Sequence, residues 1–366
     1  MPLTSIQQET SLYLSALEEE MESFFSRQQS LIQQISPETL PLLDSIRALS
    51  QGGKRLRALL AYWGYRGAGG PGSDPSIIKA GVAIELFQTA ALIHDDIIDA
   101  SDTRRGAPSV HRRFEADHRR LGYKTSPESY GISSAILAGD LCLSWSEMVF
   151  ASIPQSTVGS QARYIFDLMR TEVMAGQYLD ILGEVVAQQE PQEALERAQN
   201  VIRYKSAKYS CEQPLALGGA LALNLPEGQE NSLLAGYRAF ALPLGEGFQL
   251  RDDQLGVFGQ PEVTGKPAGD DLREGKRTVL TALTALAASQ QQAQQLEEAL
   301  GQPDLSLGQI KEIQKLMRDL GALDALEDMI EAKSQQALTA LEALEIGPIV
   351  VQALKDIAHR ALHRAA

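Results

Sequence analysis

The chain has 366 residues, of which 44% are apolar and 22% are charged, as is typical of a folded globular protein. Its formal net charge of −14 argues against a nucleic-acid-binding protein, and an anionic substrate would need local basic residues or metal ions to attract it. Two cysteines, Cys142 and Cys211, exclude a disulfide framework and a four-cysteine zinc site, and we expect both to be buried free thiols.

Apolar residues recur at three- and four-residue spacing along most of the chain, which predicts α-helices nearly throughout. The N-terminal segment lacks the basic start and apolar stretch of a signal peptide, so we expect a cytoplasmic protein without stable membrane insertion. Ser36 before Pro37 and Asp74 before Pro75 are typical helix starts. The second start predicts a long, buried helix that runs to Asp99.

Glycine, proline and polar residues mark the loops between these helices, and no loop is long enough to divide the chain. We therefore predict that residues 1–366 form a single all-α domain, a large bundle of long helices. The predicted loops are 66–74, 119–131, 225–231 and 258–276.

The segment "GGKRLR" at residues 52–57 is the first basic cluster. Lys54 and Arg57 are three residues apart, so they lie on roughly the same face if a helix begins there. The spacing and the following residues are not those of a P-loop. Alone, the segment is a weak indication of an anion-binding pocket.

The segment "LIHDDIIDASDTRRGAP" at residues 92–108 ends the long apolar helix with an acidic cluster. Asp95 and Asp99 share a helix face with Asp96 beside them, and their mutual repulsion adds to the unfavourable helix dipole. A hard divalent cation such as Mg²⁺ would offset both effects. Arg104 and Arg105 follow at once, and their guanidinium groups match phosphate oxygens.

A second acidic cluster, in "FQLRDDQLGVFG", again ends an apolar helical run with Asp252 and Asp253. The downstream segment "GKPAGDDLREGK" brings Lys266, Asp271 and Lys276. Two aspartate pairs, each followed by basic residues, are a far more specific signal than either pair alone. Two facing carboxylate clusters would clamp a diphosphate through several Mg²⁺ ions.

With these motifs in this order, the chain resembles the trans-type isoprenyl diphosphate synthases (polyprenyl synthases) over nearly its whole length, and most of all the geranylgeranyl diphosphate synthases. The resemblance implies a homodimer of helical bundles, each around a deep central cavity, that condenses isopentenyl diphosphate with an allylic diphosphate. It also implies about three Mg²⁺ ions per active site. The matching metal ligands are Asp95, Asp96, Asp99, Asp252 and Asp253.

The resemblance assigns further residues to the two substrates. Contacts to the allylic diphosphate match Arg104, Lys205, Gln249 and Lys266. Contacts to isopentenyl diphosphate match Lys54, Arg57, Arg105 and Gln88, and we also expect Ser206 and Lys276 to bind substrate. Gln177 and Asp180 in "GQYLD" match a motif that lines the reaction chamber. The chain departs from the family pattern at Gly256, where the second motif normally ends in aspartate.

Helix geometry bears on product length. Ala91 lies one turn before Asp95 with Ala90 beside it, and these small residues leave a cavity open where aromatics would close it. Phe87, a further turn along, is expected to close it and to limit the product to about twenty carbon atoms, as in geranylgeranyl diphosphate. Products of farnesyl or longer-chain length remain alternatives.

Two other classes of protein share part of this pattern. Class I terpene cyclases share a DDxxD motif, but they carry an Asn/Ser/Glu-type second metal motif and lack the "GGKRLR" pocket. Non-catalytic subunits of heteromeric synthases tend to lose an aspartate motif, whereas this chain keeps both nearly whole. We expect His94 to be structural, and His359 and His363 lack a third ligand for zinc.

Overall fold

The structure, a computed structural model, describes residues 3–186, 190–229, 231–259 and 269–362. Apart from one two-residue hairpin and an isolated bridge between Ser160 and Pro226, the regular elements of these residues are helices, which confirms the all-α prediction. The contacts define two compact units. The N-terminal unit comprises Met1–Arg163 with Gly218–Gly228, and the C-terminal unit comprises Tyr164–Leu217 with Gln229–Ala366. That the whole chain is one domain stays a prediction.

Short-range capping explains where the helix at Pro75 and the 3₁₀ turn at Pro37 begin. The Asp74 carboxylate accepts a hydrogen bond from the Ser76 amide at 2.8 Å, and Pro75 takes the first helical position. The Ser36 hydroxyl likewise accepts from the Glu38 amide at 3.2 Å. The helices of this unit are α1 (Leu3–Ile35), α2 (Leu40–Ser50), α3 (Leu56–Gly67), α4 (Pro75–Ile98), α5 (Val110–Leu121) and α6 (Pro127–Ala151), with 3₁₀ turns at Pro37–Thr39 and Pro154–Ser156 and strands β1 (Thr103–Arg104) and β2 (Ala107–Pro108).

The predicted loop over 119–131 is wrong at both ends. α5 continues to Leu121, because basic residues in its last turn suit the helix C-terminus and Gly122 closes it with φ 68°. α6 already begins at Pro127, where the Ser126 hydroxyl accepts from the Ser129 amide at 3.2 Å. The polar composition that suggested a loop is that of two helix ends.

Helix α4 forms the core of the N-terminal unit and packs against α1, α3 and α6. The buried Ser146 hydroxyl of α6 donates to the Ala83 carbonyl of α4 at 2.6 Å. By length and composition both α4 and α6 are apolar enough to cross a membrane, but 72% of the apolar window of α4 is buried within the protein. Such burial is typical of the core helix of a globular protein.

The C-terminal unit is built around the long helix Ser232–Phe258. This helix packs against the π-helix Ile202–Glu212 and against the helix Ala322–Glu342. A buried cluster that includes Leu250, Val257, Leu272, Ile310 and Met317 forms its core. Two helices, α7 (Gln161–Val185) and α9 (Gln213–Leu223), include residues of both units. The other elements are α8 (Pro191–Val201), the π-helix (Ile202–Glu212), α10 (Ser232–Phe258), α11 (Asp270–Glu274), α12 (Val279–Ala287), α13 (Gln290–Ala299), α14 (Leu307–Asp319), α15 (Ala322–Glu342) and α16 (Pro348–Leu362).

Arg55, inside the "GGKRLR" segment, has a structural role that the sequence did not indicate. Its side chain is buried and bonds to Glu85 of α4 at 2.9 Å, to Glu18 of α1 at 2.7 Å and to the Ser50 carbonyl at 2.7 Å. Burial lowers the pKa of this guanidinium, but the two carboxylates outweigh burial and raise the pKa above its ordinary value. Arg55 therefore stays charged and ties three helices together.

We expect Arg55→Ala to lower the free energy of unfolding by about 3–5 kcal/mol, because it leaves the buried Glu85 carboxylate without its partner cation. The measurement is urea denaturation followed by circular dichroism. The matched control is Arg27→Ala, which removes an exposed pair with Glu20 and should cost below about 1 kcal/mol. Equal losses in the two variants would contradict the structural role.

Candidate active site

The first acidic cluster forms the C-terminal end of α4. Asp95 and Asp96 lie in its last turn, and Asp99 caps it by donating its amide to the Asp95 carbonyl at 2.8 Å. Ala100 follows with φ 50°, and the Ser101 amide then reaches the Asp96 carbonyl at 2.9 Å. Asp96 is fully buried, whereas Asp95 and Asp99 are half-buried. The helix end thus holds one enclosed carboxylate and two accessible ones.

Arg104 supplies the positive charge for this helix end. Its Nε and Nη2 donate to Asp96 Oδ1 at 2.8 and 2.5 Å, and Nη2 lies 3.5 Å from Asp95 Oδ2. Burial lowers the pKa of the Arg104 guanidinium, but the hydrogen bond and charge of Asp96, with the charges of Asp95 and Asp99, raise it above its ordinary value. The structure therefore places Arg104 on the aspartates, and its direct contact with a diphosphate stays a prediction.

Arg104 is positioned by a hairpin that the sequence analysis missed. β1 and β2 pair antiparallel, and the two residues between them, Arg105 and Gly106, have φ 56° and 74°. Positive φ at both central positions is typical of a type I′ turn. The available signal was the Arg-Gly pair, which is weak because a side chain is uncommon at positive φ.

Arg105 connects the two basic motifs of the N-terminal unit. Its Nη1 donates to the Leu49 and Gln51 carbonyls at 3.2 and 3.0 Å, at the end of α2. A Cβ at Gly53 would lie 2.9 Å from Arg105 Nη2, so the arginine reaches the "GGKRLR" segment itself. Arg105 thus lies beside the segment that contains Lys54 and Arg57, and a diphosphate site shared by the three residues stays a prediction. The pKa of Arg105 is lowered by burial and by the charge of Arg55.

The other predicted site residues of this unit differ in how far they are buried. Lys54 is exposed, and Arg57, in the first turn of α3, is half-buried. Along α4, Gln88 and Ala91 are half-buried, as is Asp95 on the same face. The remaining residues with a predicted role in product length, Phe87 and Ala90, are buried.

Lys205, in the C-terminal unit, pairs with Asp180 of the "GQYLD" segment. Lys205 Nζ lies 2.5 Å from Asp180 Oδ2, and both side chains are largely buried. Lys205 and the half-buried Ser206 belong to the π-helix, which the apolar spacing did not indicate. π-Helical segments are rare and frequently occur at functional sites. Gly176 of α7 allows the two segments to approach, because a Cβ there would lie 2.4 Å from the Lys205 amide nitrogen.

We expect Gly176→Ala to lower the free energy of unfolding by about 1–3 kcal/mol, because the added methyl group meets the backbone of the π-helix. Gly183→Ala, on the same helix, is the matched control: its Cβ would meet only the Arg197 Cδ at 3.6 Å. That variant should gain up to about 1 kcal/mol from helix propensity. Urea denaturation checks both values, and a stabilised Gly176→Ala protein would contradict the close approach.

The second acidic cluster lies near the C-terminal end of α10 and holds its two aspartates differently. Asp252 is exposed, whereas Asp253 is 6% exposed and accepts a hydrogen bond from Gln249 Nε2 at 2.9 Å. Burial raises the pKa of Asp253 well above its ordinary value; the Gln249 bond opposes this, and the charges of Asp271 and Asp252 add to it. Lys276 Nζ lies 2.6 Å from Glu274 Oε2. Lys266 lies outside the described residues.

The donor chemistry of both clusters fits Mg²⁺ rather than zinc. Within the ranges that the structure describes, no three carboxylate, imidazole or thiol side chains form a preassembled metal-binding group. Mg²⁺ at phosphate sites is typically held by one or two carboxylates together with the phosphate oxygens of the substrate. The half-buried Asp95 and Asp99 and the exposed Asp252 supply such oxygens.

A largely helical chain in which an arginine meets two aspartates at a helix end is suited to diphosphate chemistry, and comparison with known proteins agrees. Residues 41–317 match the Polyprenyl synthetase family. The geranylfarnesyl diphosphate synthase of Aeropyrum pernix is 32% identical over 77% of this chain and 81% of its own length. The geranylgeranyl diphosphate synthase of Methanosarcina mazei is 27% identical over 92% of this chain and 95% of its own.

Solved structures give the same result. A geranylgeranyl pyrophosphate synthase from Corynebacterium glutamicum, complexed with isoprenyl diphosphate and magnesium, is 37% identical with a TM-score of 0.88, and the match covers 96% of this chain and 99% of that one. The chain therefore belongs to the polyprenyl synthetase family and is a prenyltransferase.

Proposed function

We propose that this protein condenses isopentenyl diphosphate with an allylic diphosphate in a Mg²⁺-dependent reaction, with geranylgeranyl diphosphate as its main product. The observation that carries the proposal is the arrangement within the N-terminal unit. Arg104 bonds to the aspartates of α4, and the next residue, Arg105, bonds to the segment that precedes Lys54 and Arg57. Adjacent acidic and basic groups meet the needs of two diphosphates and their cations.

The aspartates of the two motifs would hold the metal, about three Mg²⁺ ions per active site. Bound Mg²⁺ supplies charge neutralisation for the diphosphate that leaves the allylic substrate. Asp95, Asp99 and Asp252 are the accessible carboxylates for this role. Asp96 and Asp253 are buried. We assign them to the same two metal sites because they are next to Asp95 and Asp252 in the chain.

The basic residues would bind and orient the two substrates. We assign Lys54, Arg57, Arg105 and Gln88 to isopentenyl diphosphate, and Arg104, Lys205, Gln249 and Lys266 to the allylic substrate. Ser206 and Lys276 are further substrate-binding residues. The C–O bond of the allylic diphosphate breaks, the double bond of isopentenyl diphosphate forms the new C–C bond, and a proton is lost to the released pyrophosphate. Fixed positive charges that stabilise the leaving group contribute most to such a reaction. Exclusion of water protects the allylic cation.

We also propose a cytoplasmic homodimer. Helix α6 leaves Ile136, Leu137 and Met148 exposed, with 42%, 58% and 47% of their surface accessible. Large apolar side chains exposed along one helix are typical of a protein–protein interface.

Incubation with Mg²⁺, isopentenyl diphosphate and each allylic primer in turn, followed by sizing of the products, tests the activity. We expect products of about twenty carbon atoms, since small residues lie one turn before the first aspartates. Linear products of fifteen or so carbon atoms would indicate a farnesyl synthase, and longer ones a polyprenyl synthase. Cyclic hydrocarbons would indicate a terpene cyclase, and inactivity without a second protein would indicate a subunit.

Ala91→Phe tests how product length is set. Ala91 is half-buried on the face of Asp95, so we expect the larger ring to shorten the main product. Leu92→Phe is the matched control, because the adjacent position points about 100° away around the helix and should leave the product unchanged. Product sizing by chromatography reads both variants. A similarly shortened product in both variants would show that position 91 does not specifically set the product length.

A further inference from the structure

A cavity of about 280 Å³ lies within the C-terminal unit, and none of its lining residues is assigned to the metal or to the two substrates. It is formed by α8 and the π-helix together with α10 and α15. Its volume is near the lower end of the range for small-molecule sites. The lining residues are Glu196, Gln199, Asn200, Ile202, Arg203, Glu246, Leu250, Met329 and Lys333.

Glu246 of α10 is the buried charge of this cavity, with 7% of its surface exposed. Arg203 Nε of the π-helix lies 3.1 Å from Glu246 Oε1, and Lys333 Nζ of α15 lies 2.6 Å from Glu246 Oε2. Each carboxylate oxygen therefore has its own cation. The three residues belong to three different helices, which meet at this point.

Glycines on either side of Glu246 allow these helices to come close together. A Cβ at Gly245 would lie 2.6 Å from the Ala207 carbonyl oxygen of the π-helix. A Cβ at Gly247 would lie 3.3 Å from Lys333 Cβ of α15. The close packing on both sides of α10 holds the two cations beside the same carboxylate.

The charge at this end of the cavity favours an anion. Two cations share the single carboxylate of Glu246, which leaves an excess of one positive charge. Glu196, the other carboxylate of the lining, is exposed and lies about 10 Å along the helix from Arg203. Glu212, whose charge also acts on Arg203, has two further cations near it. An anion is therefore attracted to Arg203 and Lys333.

Both cations have hydrogen-bond donors beyond those that Glu246 uses. Within the part of the chain that the structure describes, Arg203 bonds through Nε, which leaves its two terminal nitrogens for a ligand. The side chains of Arg203 and Lys333 are 46% and 31% exposed. A guanidinium edge matches two oxygens of a carboxylate or phosphate group. Gln199 and Asn200, at the exposed rim, supply amide groups.

The remaining lining is apolar. Ile202 and Leu250 are buried in the core cluster of this unit, and Met329 packs against that cluster. These three residues form the apolar wall of the cavity. Methionine is flexible and adapts to irregular shapes, which suits a surface that receives a ligand. The cavity thus offers positive charge beside an apolar surface.

We propose that this cavity binds a small organic anion. Arg203 and Lys333 hold its carboxylate or phosphate group, and its hydrocarbon part lies on the apolar wall. The inference goes beyond the proposed function and does not depend on it, since no lining residue takes part in the proposed reaction.

A purely structural role for the three charged residues predicts different behaviour. Arg203, Glu246 and Lys333 would then only join the helices, and the cavity would have no preference for anions. A neutral molecule of the same shape would bind as well as an anionic one. A large side chain placed in the cavity would leave the binding of anions unchanged.

The experiment titrates the full chain with para-fluorobenzoate, para-fluorophenyl phosphate or the neutral para-fluorobenzamide, and fluorine NMR line widths measure binding. Mg²⁺ and inorganic pyrophosphate are present to occupy the candidate active site. The variants are Arg203→Gln, Lys333→Met and Met329→Trp. Arg238→Gln is the matched control, because Arg238 is 41% exposed and lies 3.8 Å from the buried Glu212 but does not line the cavity.

We expect at least one anionic probe to bind about tenfold or more tightly than the amide, and the tighter of the two anions identifies the class of ligand. Arg203→Gln and Lys333→Met should each weaken this binding by about tenfold or more, because each removes a charged hydrogen-bond donor. Met329→Trp should abolish the binding by filling the cavity. Arg238→Gln should leave it unchanged.

The inference would be overturned if neither anion bound, if the amide bound equally well, or if Arg238→Gln caused the same loss as the cavity variants. Undiminished binding in folded Met329→Trp would also overturn it, since the anions would then bind to surface charge outside the cavity. Thermal unfolding shows which variants are folded. If Arg203→Gln is unfolded, Lys333→Met decides the role of the cations.

Discussion

A carboxylate buried at the C-terminal end of an apolar helix is the electrostatic constraint around which the N-terminal unit is arranged. Asp96 is fully buried, and the dipole of α4 disfavours a negative charge at this end. Arg104 meets that need with two donors to a single oxygen. Because Arg104 lies on a tight hairpin, its neighbour Arg105 is directed to the end of α2. The cation that stabilises the aspartates thereby brings the other basic segment near them.

The second motif also contains a buried aspartate, but its hydrogen-bond donor is an amide and not an arginine. Asp253 is buried against Gln249, and burial raises its pKa, so this carboxyl group accepts a proton more readily than an exposed one. Asp252 remains exposed beside it. Glycine stands at position 256 where the family pattern has a third aspartate, and the Asp271 carboxylate occupies the space next to it. In both motifs, one buried aspartate is supported by protein groups while another stays accessible.

Neighbouring residues in a motif prove to have opposite roles. Lys54 is exposed, and Arg55 is buried in ion pairs with Glu18 and Glu85. A basic segment predicts an anion site but not which of its side chains bind the anion. The apolar spacing around the segment does not show which side chain turns inward. Lys205 is a similar case: its motif is recognisable, but its ion pair with Asp180 depends on a π-helix that has no simple periodic signal.

The sequence by itself determined the helical class, the starts at Pro37 and Pro75, and the motifs that place the chain in its family, since these depend on local spacing and residue type. Only the tertiary structure decided that Arg104 bonds to Asp96, that Arg55 is structural and that Asp271 fills the space at Gly256. These contacts join segments that are distant in the chain. They depend on the shape left between packed helices, which no short stretch of sequence records.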